Sequence, residues 1–346
     1  MPLNLAVFRA DGGSELGLGH LSRCKTLADG LANCGWSWKF AIDSAVTAPE
    51  TLQALGIARS EIIALTGADD DFASQIRKHL TSDAGLVVID NYATTINFAK
   101  ASRAWGHKIL VIDDLADRPL DADFLLNQNP SCSALDYADI VGPDCTLMLG
   151  ADVALLRDDI TTQRPAAPPR ARFATPSEAR LLISLGATDP GDETSKILKS
   201  IIEKGEMYKV DIALSSFAPH LHKVAEIAKS MPHTSLHVDT HDMASLMGGV
   251  DIAIGAGGTS SLERCCLGLP TVLIETAPNQ QATIAALATV GAGSVAADAI
   301  QAIAEVSRLT ADPTAFALMA KCAYQLCDGK GVTRVIDTIL STSSIS

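Results

Sequence analysis

The chain has 346 residues, enough for two domains of ordinary size, each with its own core. Apolar residues make up 47% of it and aromatics only 4%, a balance that fits an α/β protein and excludes a disordered chain. The formal charge of -13 argues against a binder of nucleic-acid backbones, which needs a cationic face, yet leaves room for a small anion held by backbone N–H groups.

The opening MPLNLAVFRADGG has no basic n-region, long apolar core or cleavage site, and no apolar run is long enough to span a bilayer. Cysteines 24, 34, 132, 145, 265, 266, 322 and 327 form no Cys-x-x-Cys pair. Reduced thiols in the cytoplasm are the expectation.

The first segment, Leu3–Phe8, reads as a strand. It leads through Arg9-Ala10-Asp11-Gly12-Gly13 and Gly17-Leu18-Gly19-His20 into a helix over His20–Cys34. A dinucleotide fingerprint would place Gly-x-Gly-x-x-Gly directly after the strand, with an acidic residue about 20 residues on. Asp43, after a strand at Trp38–Ile42, suits the acidic position. But Ser22 replaces the third glycine, and the first lies well past Arg9. No Gly-Lys-[Ser/Thr] follows, so the loop is neither a nicotinamide cradle nor a P-loop. The residues alone leave His20 open between a plain position at a helix start and a reactive imidazole.

Helical patterns at Asp70–Leu80 and Ile96–Trp105 then alternate with strands at Leu86–Ile89, Ile109–Ile112 and Asp123–Leu126. This is the rhythm of a parallel sheet covered on both faces. Asp90-Asn91-Tyr92 and Asp113-Asp114 follow two of those strands. Their carboxylates suit orienting an imidazole or binding substrate, and equally suit capping the next helices.

Prolines 165, 168, 169 and 176 interrupt the periodicity and mark a linker over 161–178 between domains 1–160 and 179–346. Strands are then expected at Arg180–Leu185, Lys209–Leu214, Ser235–Val238, Asp251–Ile254 and Thr271–Ile274, with a last helix from Gly331 to Leu340. Two consecutive α/β units imply a cleft, with ligands at the carboxyl ends of the strands.

Three loops of the second half stand at such ends. Gly255-Ala256-Gly257-Gly258-Thr259-Ser260-Ser261 joins a strand to a helix, and its glycines and hydroxyls exceed what capping needs. Glu263, one turn in, suits ribose hydroxyls. Gly186-Ala187-Thr188-Asp189 suits a pyrophosphate or sugar, and Asn279-Gln280 offers uncharged donors and acceptors for hydroxyl or acetamido groups. Histidines 220, 222, 233, 237 and 241 straddle several elements without a Cys or carboxylate at ligand spacing, so surface positions are expected and no metal.

Together these motifs resemble a known family. Phe8-Arg9-Ala10-Asp11-Gly12-Gly13, Gly17-Leu18-Gly19-His20 and Arg23-Cys24 are similar to the opening of the UDP-2,4-diacetamido-2,4,6-trideoxy-β-L-altropyranose hydrolases of the pseudaminic acid pathway. Those enzymes are related to spore-coat polysaccharide proteins and, more distantly, to MurG-like glycosyltransferases. The resemblance continues through Val111–Arg118, Leu126–Asn129, Ala154–Arg157, the 255–258 loop and Asp328-Gly329-Lys330-Gly331. One departure is Asn91-Tyr92-Ala93, where the family often has His-Tyr-Gly.

The resemblance implies a GT-B arrangement: two Rossmann-like domains, a site in the interdomain cleft, and UDP held mainly by the second domain. The last helix is then expected to pack back on the first. His20 takes the role of the histidine that activates water for attack on C1, releasing UDP with inversion, without metal or cofactor. A helix N-terminus also disfavours a protonated imidazole, which would keep the base available. The substrate-binding set becomes Arg9, Asp11, Gly17, Gly19 and Tyr92, with Gly186, Thr188, Asp189, Gly257, Gly258, Thr259, Ser260, Glu263, Asn279 and Gln280. The expected partners are a UDP-sugar and water, with no nucleic acid and no membrane, and a monomer is compatible. Rival readings are a GT-B glycosyltransferase, a hydrolysing 2-epimerase and a non-catalytic nucleotide-sugar binder.

Overall fold

The computed structural model describes residues 4–13, 17–68, 71–240 and 242–342, so Leu3, Asp70 and His241 of the expectations above lie outside the described residues. The chain forms two compact units, one of residues 1–157 with 330–346 and the other of residues 158–329.

The first unit runs β1 (Leu5–Ala10), α1 (Gly19–Asn33), β2 (Ser37–Asp43), α2 (Pro49–Ala54), β3 (Ile62–Leu65), α3 (Phe72–His79), β4 (Ala84–Asp90), α4 (Ile96–Ser102), β5 (Gly106–Ile112), β6 (Phe124–Asn127) and β7 (Thr146–Leu149). The strands pair in parallel in the order β3-β2-β1-β4-β5-β6-β7. Every residue of β4 is buried, as a strand covered on both faces requires. Alternation then sorts side chains between faces. Ala6, Phe8, Leu86 and Val88 join Leu27 and Leu31 of α1, while Val7, Val87 and Ile89 meet Phe72, Ile76 and Phe98 from α3 and α4.

The second unit runs α5 (Asp158–Thr162), β8 (Arg180–Ser184), α6 (Glu193–Lys204), β9 (Lys209–Leu214), α7 (Leu221–Ser230), β10 (Thr234–Val238), α8 (Met243–Gly249), β11 (Ile252–Ala256), α9 (Ser260–Cys266), β12 (Thr271–Ile274), α10 (Gln281–Thr289), β13 (Ser294–Val295), α11 (Ala299–Ala311) and α12 (Pro313–Leu326). Its sheet is parallel in the order β10-β9-β8-β11-β12-β13. The final helix, α13 (Gly331–Thr342), belongs to the first unit, where Val335, Ile336 and Ile339 complete the core beside Leu27 and Leu31.

The boundaries differ from those the proline pattern suggests. The chain leaves the first unit after Arg157 and returns to it at Lys330, and the 161–178 stretch belongs to the second unit rather than spanning as a free linker. Arg164 donates to the carbonyls of Cys266 (2.5 Å), Cys327 (2.7 Å) and Tyr324 (2.8 Å) and stacks on the Tyr324 ring. Tyr324 returns a bond to the Pro165 carbonyl, and Arg172 pairs with Asp251. Proline removes periodicity, but one planar guanidinium with many donors replaces the missing backbone ladder. The short edge strands β3, β7 and β13 also escape a pattern search.

Candidate functional site

In each sheet the strand order reverses direction at one point, between β1 and β4 in the first unit and between β8 and β11 in the second. Loops at the carboxyl ends of such neighbours diverge and leave a crevice for ligands. Ala10 pairs with Asp90 in register, so the loop after β1 and the last residue of β4 meet at that point.

His20, in the first turn of α1, places Nδ1 2.6 Å from Asp90 Oδ1. One turn on, Arg23 forks onto the same carboxylate, with Nε at 2.6 Å from Oδ2 and Nη2 at 2.6 Å from Oδ1. Its other edge donates to Asp114 at 3.0 and 3.1 Å, and the Tyr92 hydroxyl donates to Asp114 Oδ2 at 2.9 Å. The Tyr92 ring stands edge-on to the imidazole, centroids 4.8 Å apart. Asp90 is fully buried and Arg23 nearly so, whereas the His20 side chain keeps 12% of its surface exposed. The chain thus builds a charged layer under one reachable imidazole.

The electrostatics follow from that layer. Burial would raise the Asp90 carboxyl, but Arg23 and His20 outweigh it and hold it well below the usual carboxylate range. Burial would likewise lower His20, but the Asp90 carboxylate prevails and lifts the imidazole above its ordinary 6.5. This corrects the expectation that the helix N-terminus would disfavour the protonated ring. A carboxylate at 2.6 Å acts more strongly than a helix end. Burial and Asp114 push the Tyr92 phenol up, so it stays protonated and a donor. With Nδ1–H donating to Asp90, Nε2 is the basic nitrogen of the neutral ring.

Several residues expected to touch a ligand turn inward. Arg9 and Asp11 are each 3% exposed and pair with one another at 2.5 Å. Arg9 also lies over the Phe72 ring, while Asp11 accepts from Asp43 N, Thr47 Oγ1 and Asn91 Nδ2. They are a tie between the loops after β1, β2 and β4, because a carboxylate with four donors around it has little left for a substrate. Asn91, whose Nδ2 donates to Asp11 at 2.8 Å, serves that tie. Gly17 is exposed, with positive φ, and closes a tight bridge onto Gly13; Gly19 starts α1 half-buried.

In the second unit, Asp189 is 2% exposed and accepts from the Glu193 and Thr194 N–H groups, so it caps α6 instead of facing solvent. Gly186 is exposed and Thr188 half-buried in the same loop. Gln280 is inward too: its Oε1 accepts from Gly257 N at 3.3 Å and from Thr276 N and Oγ1. A Cβ on Gly257 would sit 2.4 Å from Ile284 Cγ1, so that glycine serves the approach of α10. Gly258, Thr259, Ser260 and Glu263 are half-buried and Asn279 is exposed, all at the carboxyl edge of the sheet.

Asp114 stands where its motif suggested a carboxylate for the imidazole or substrate, whereas Arg23 was given no role by the sequence, although it lies three residues from His20, on the same helix face. Among the described residues no group of three or more His, Cys, Asp or Glu could hold a metal ion. No helix among them is long and apolar enough to cross a membrane.

A profile described as "Protein of unknown function (DUF354)" matches residues 182–285. Spore coat polysaccharide biosynthesis protein SpsG of Bacillus subtilis is 25% identical, covering 96% of each chain. The UDP-2,4-diacetamido-2,4,6-trideoxy-beta-L-altropyranose hydrolase of Campylobacter jejuni is also 25% identical, over 70% of this chain and 80% of its own. Among solved structures, MurG of Acinetobacter baumannii superimposes with a TM-score of 0.66 at 15% identity, covering 97% of this chain and 99% of its own. The S. aureus MnaA–UDP co-structure gives 0.67 at 11% identity, covering 99% and 97%. Two parallel Rossmann-like halves, whole-chain likeness to GT-B structures and these relatives bear out the expected resemblance: the chain has a GT-B-like fold and is similar to the UDP-diacetamido-trideoxy-altropyranose hydrolase and to SpsG.

Proposed function

We propose that the protein hydrolyses a UDP-linked diacetamido-trideoxyhexose at C1, releasing UDP and the free sugar for nonulosonic (pseudaminic) acid synthesis. The observation that carries this reading is the His20–Asp90–Arg23 arrangement, which fixes one imidazole with Nδ1 engaged and Nε2 available as a base. In the proposed step Nε2 takes a proton from water, and the water oxygen forms its bond to C1. The C1–O bond to the nucleotide breaks, and UDP departs with the electron pair. Attack opposite the leaving group inverts C1. Asp90 supports the imidazolium as it forms, as a carboxylate does in other hydrolytic triads. The Tyr92 hydroxyl, held by Asp114, adds a polar wall beside the ring. No metal or cofactor has a part in this step, and a cytoplasmic protein acting on a soluble nucleotide sugar fits the reading.

The second unit is assigned the nucleotide, through Gly258, Thr259 and Ser260 with Glu263 on the ribose hydroxyls. Glu263→Ala should therefore weaken UDP as an inhibitor, since a charge-assisted hydrogen bond is worth about 1.5–3 kcal/mol. Titration of UDP against turnover checks this, and unchanged inhibition would move the ribose contact elsewhere. The reading itself is tested by incubating the protein with a panel of UDP-diacetamido sugars and following UDP release by phosphorus NMR. Release from at least one member is expected; no release from any would remove the hydrolase reading.

A further inference from the structure

Three arginines are buried: Arg9, Arg23 and Arg264. The first two sit on carboxylates, Asp11 and Asp90. Arg264, on α9, is 1% exposed and has no carboxylate within ion-pair distance among the described residues. Burial brings its guanidinium down to about 10, so it remains cationic at neutral pH. Cys265 and Glu263 favour the charged form, yet neither outweighs burial; a buried charge with no direct ion pair costs stability, and a fold keeps one where a ligand supplies the opposite sign.

Its placement names the ligand's end of the molecule. Nη2 donates to the Ala256 carbonyl at 2.6 Å and Nη1 to Ser260 Oγ at 3.2 Å, while Nε has no acceptor. The guanidinium lies so close under the loop that a Cβ on Gly255 would stand 2.6 Å from Cζ. Two consequences follow. Arginine has no acceptor, so a Ser260 oxygen that accepts from it must send its own hydrogen elsewhere, and none of the described residues receives it. The Ala256–Gly257 peptide is also clamped from both sides, its carbonyl by Arg264 and its N–H by Gln280 Oε1 at 3.3 Å.

We propose that Arg264 is a positioning residue for an anionic diphosphate: it charges the 255–260 loop from beneath and turns the Ser260 hydroxyl outward as a donor. The proposal rests on the assignment of UDP to this loop and adds the residue that selects the diphosphate over the nucleoside. By contrast, Arg164, which has no carboxylate at ion-pair distance among the described residues, directs three N–H groups to carbonyls and stacks on Tyr324.

Calorimetric titration of UDP and of uridine into the full chain tests it, using wild type, R264M and R264K. R264M should bind UDP about tenfold more weakly or worse, with uridine unchanged, and R264K should recover part of the loss because its charge remains. R264M should unfold at no lower temperature than wild type, because an apolar side chain replaces a buried charge that has no direct ion pair. S260A should weaken UDP in wild type and have little further effect in R264M. Equal UDP affinity in R264M and wild type would overturn the proposal while leaving the nucleotide assignment standing. So would a parallel loss of UDP and uridine, which marks a purely structural role. A wild type that binds neither would remove the nucleotide assignment and the proposal with it.

Discussion

Asp90→Asn should cost the first unit about 3–5 kcal/mol, the usual penalty for breaking a buried ion pair from one side. The carboxylate has no exposed surface, and it receives both fork bonds of Arg23 as well as the His20 ring. Asparagine keeps one acceptor oxygen but no charge, so Arg23 is left leaning on Asp114 alone. All three tryptophans, Trp36, Trp38 and Trp105, lie in the first unit, so their fluorescence reads its unfolding in urea separately from the second unit. The linkage is signed. A depressed carboxyl contributes stability above its unfolded value near 3.8 and loses it as pH falls toward its folded value. The raised imidazole contributes below its unfolded value of 6.5 and loses that as pH rises through its folded value. The stability gap between wild type and variant should therefore widen as pH falls through the imidazole range and narrow only below about 3.8, where the carboxylate's contribution is lost. A variant as stable as wild type at neutral pH would mean that the layer under His20 is not the buried charge cluster described here.

His20→Asn should lower kcat by about 10²–10⁴-fold with little change in KM, because proton transfer to the base occurs only in the transition state. Asparagine keeps a polar side chain at the start of α1, and the first unit should remain folded by the same fluorescence test. In wild type, kcat should fall with acidification through a value above 6.5, since Asp90 favours the protonated ring. In Asp90→Asn that inflection should move to lower pH, a change that mere loss of packing does not produce. Near-normal turnover in His20→Asn would assign the imidazole a structural role and shift attention to Asp114 and Tyr92.

Much of the fold is legible in the chain because parallel strands buried on both faces read as continuous Val, Ile and Leu runs. Lys209–Leu214 and Thr271–Ile274 emerge with the ends that the pattern gives them. The edge strands β3, β7 and β13 do not, since short segments such as Ile62–Leu65, only two of whose residues are buried, lack a continuous buried run bounded by clear turn signals. The 161–178 stretch misleads for a chemical reason: proline erases the pattern, while the bonds of Arg164 to distant carbonyls are invisible in one dimension.

The placement of motifs after strands puts Asp90 and Tyr92, with His20 behind them, at the carboxyl end of the first sheet, and the 255–260 loop at that of the second. It does not tell which polar side chains point outward. Asp11, Asp189 and Gln280 stand at the expected strand ends, yet each is consumed by neighbouring backbone or side-chain donors. Arg264 escapes notice for the opposite reason, because an arginine inside a helix reads as surface until its burial is seen.

The most direct measurement of the central claim is turnover of a UDP-diacetamido-trideoxyhexose in water labelled with heavy oxygen, with a parallel reaction in deuterium oxide. Attack of water on C1 predicts one heavy oxygen at the anomeric position of the freed sugar, none in UDP, and no deuterium at C2. Label in the phosphate of UDP, or solvent deuterium at C2 as an epimerase would leave, would contradict the account.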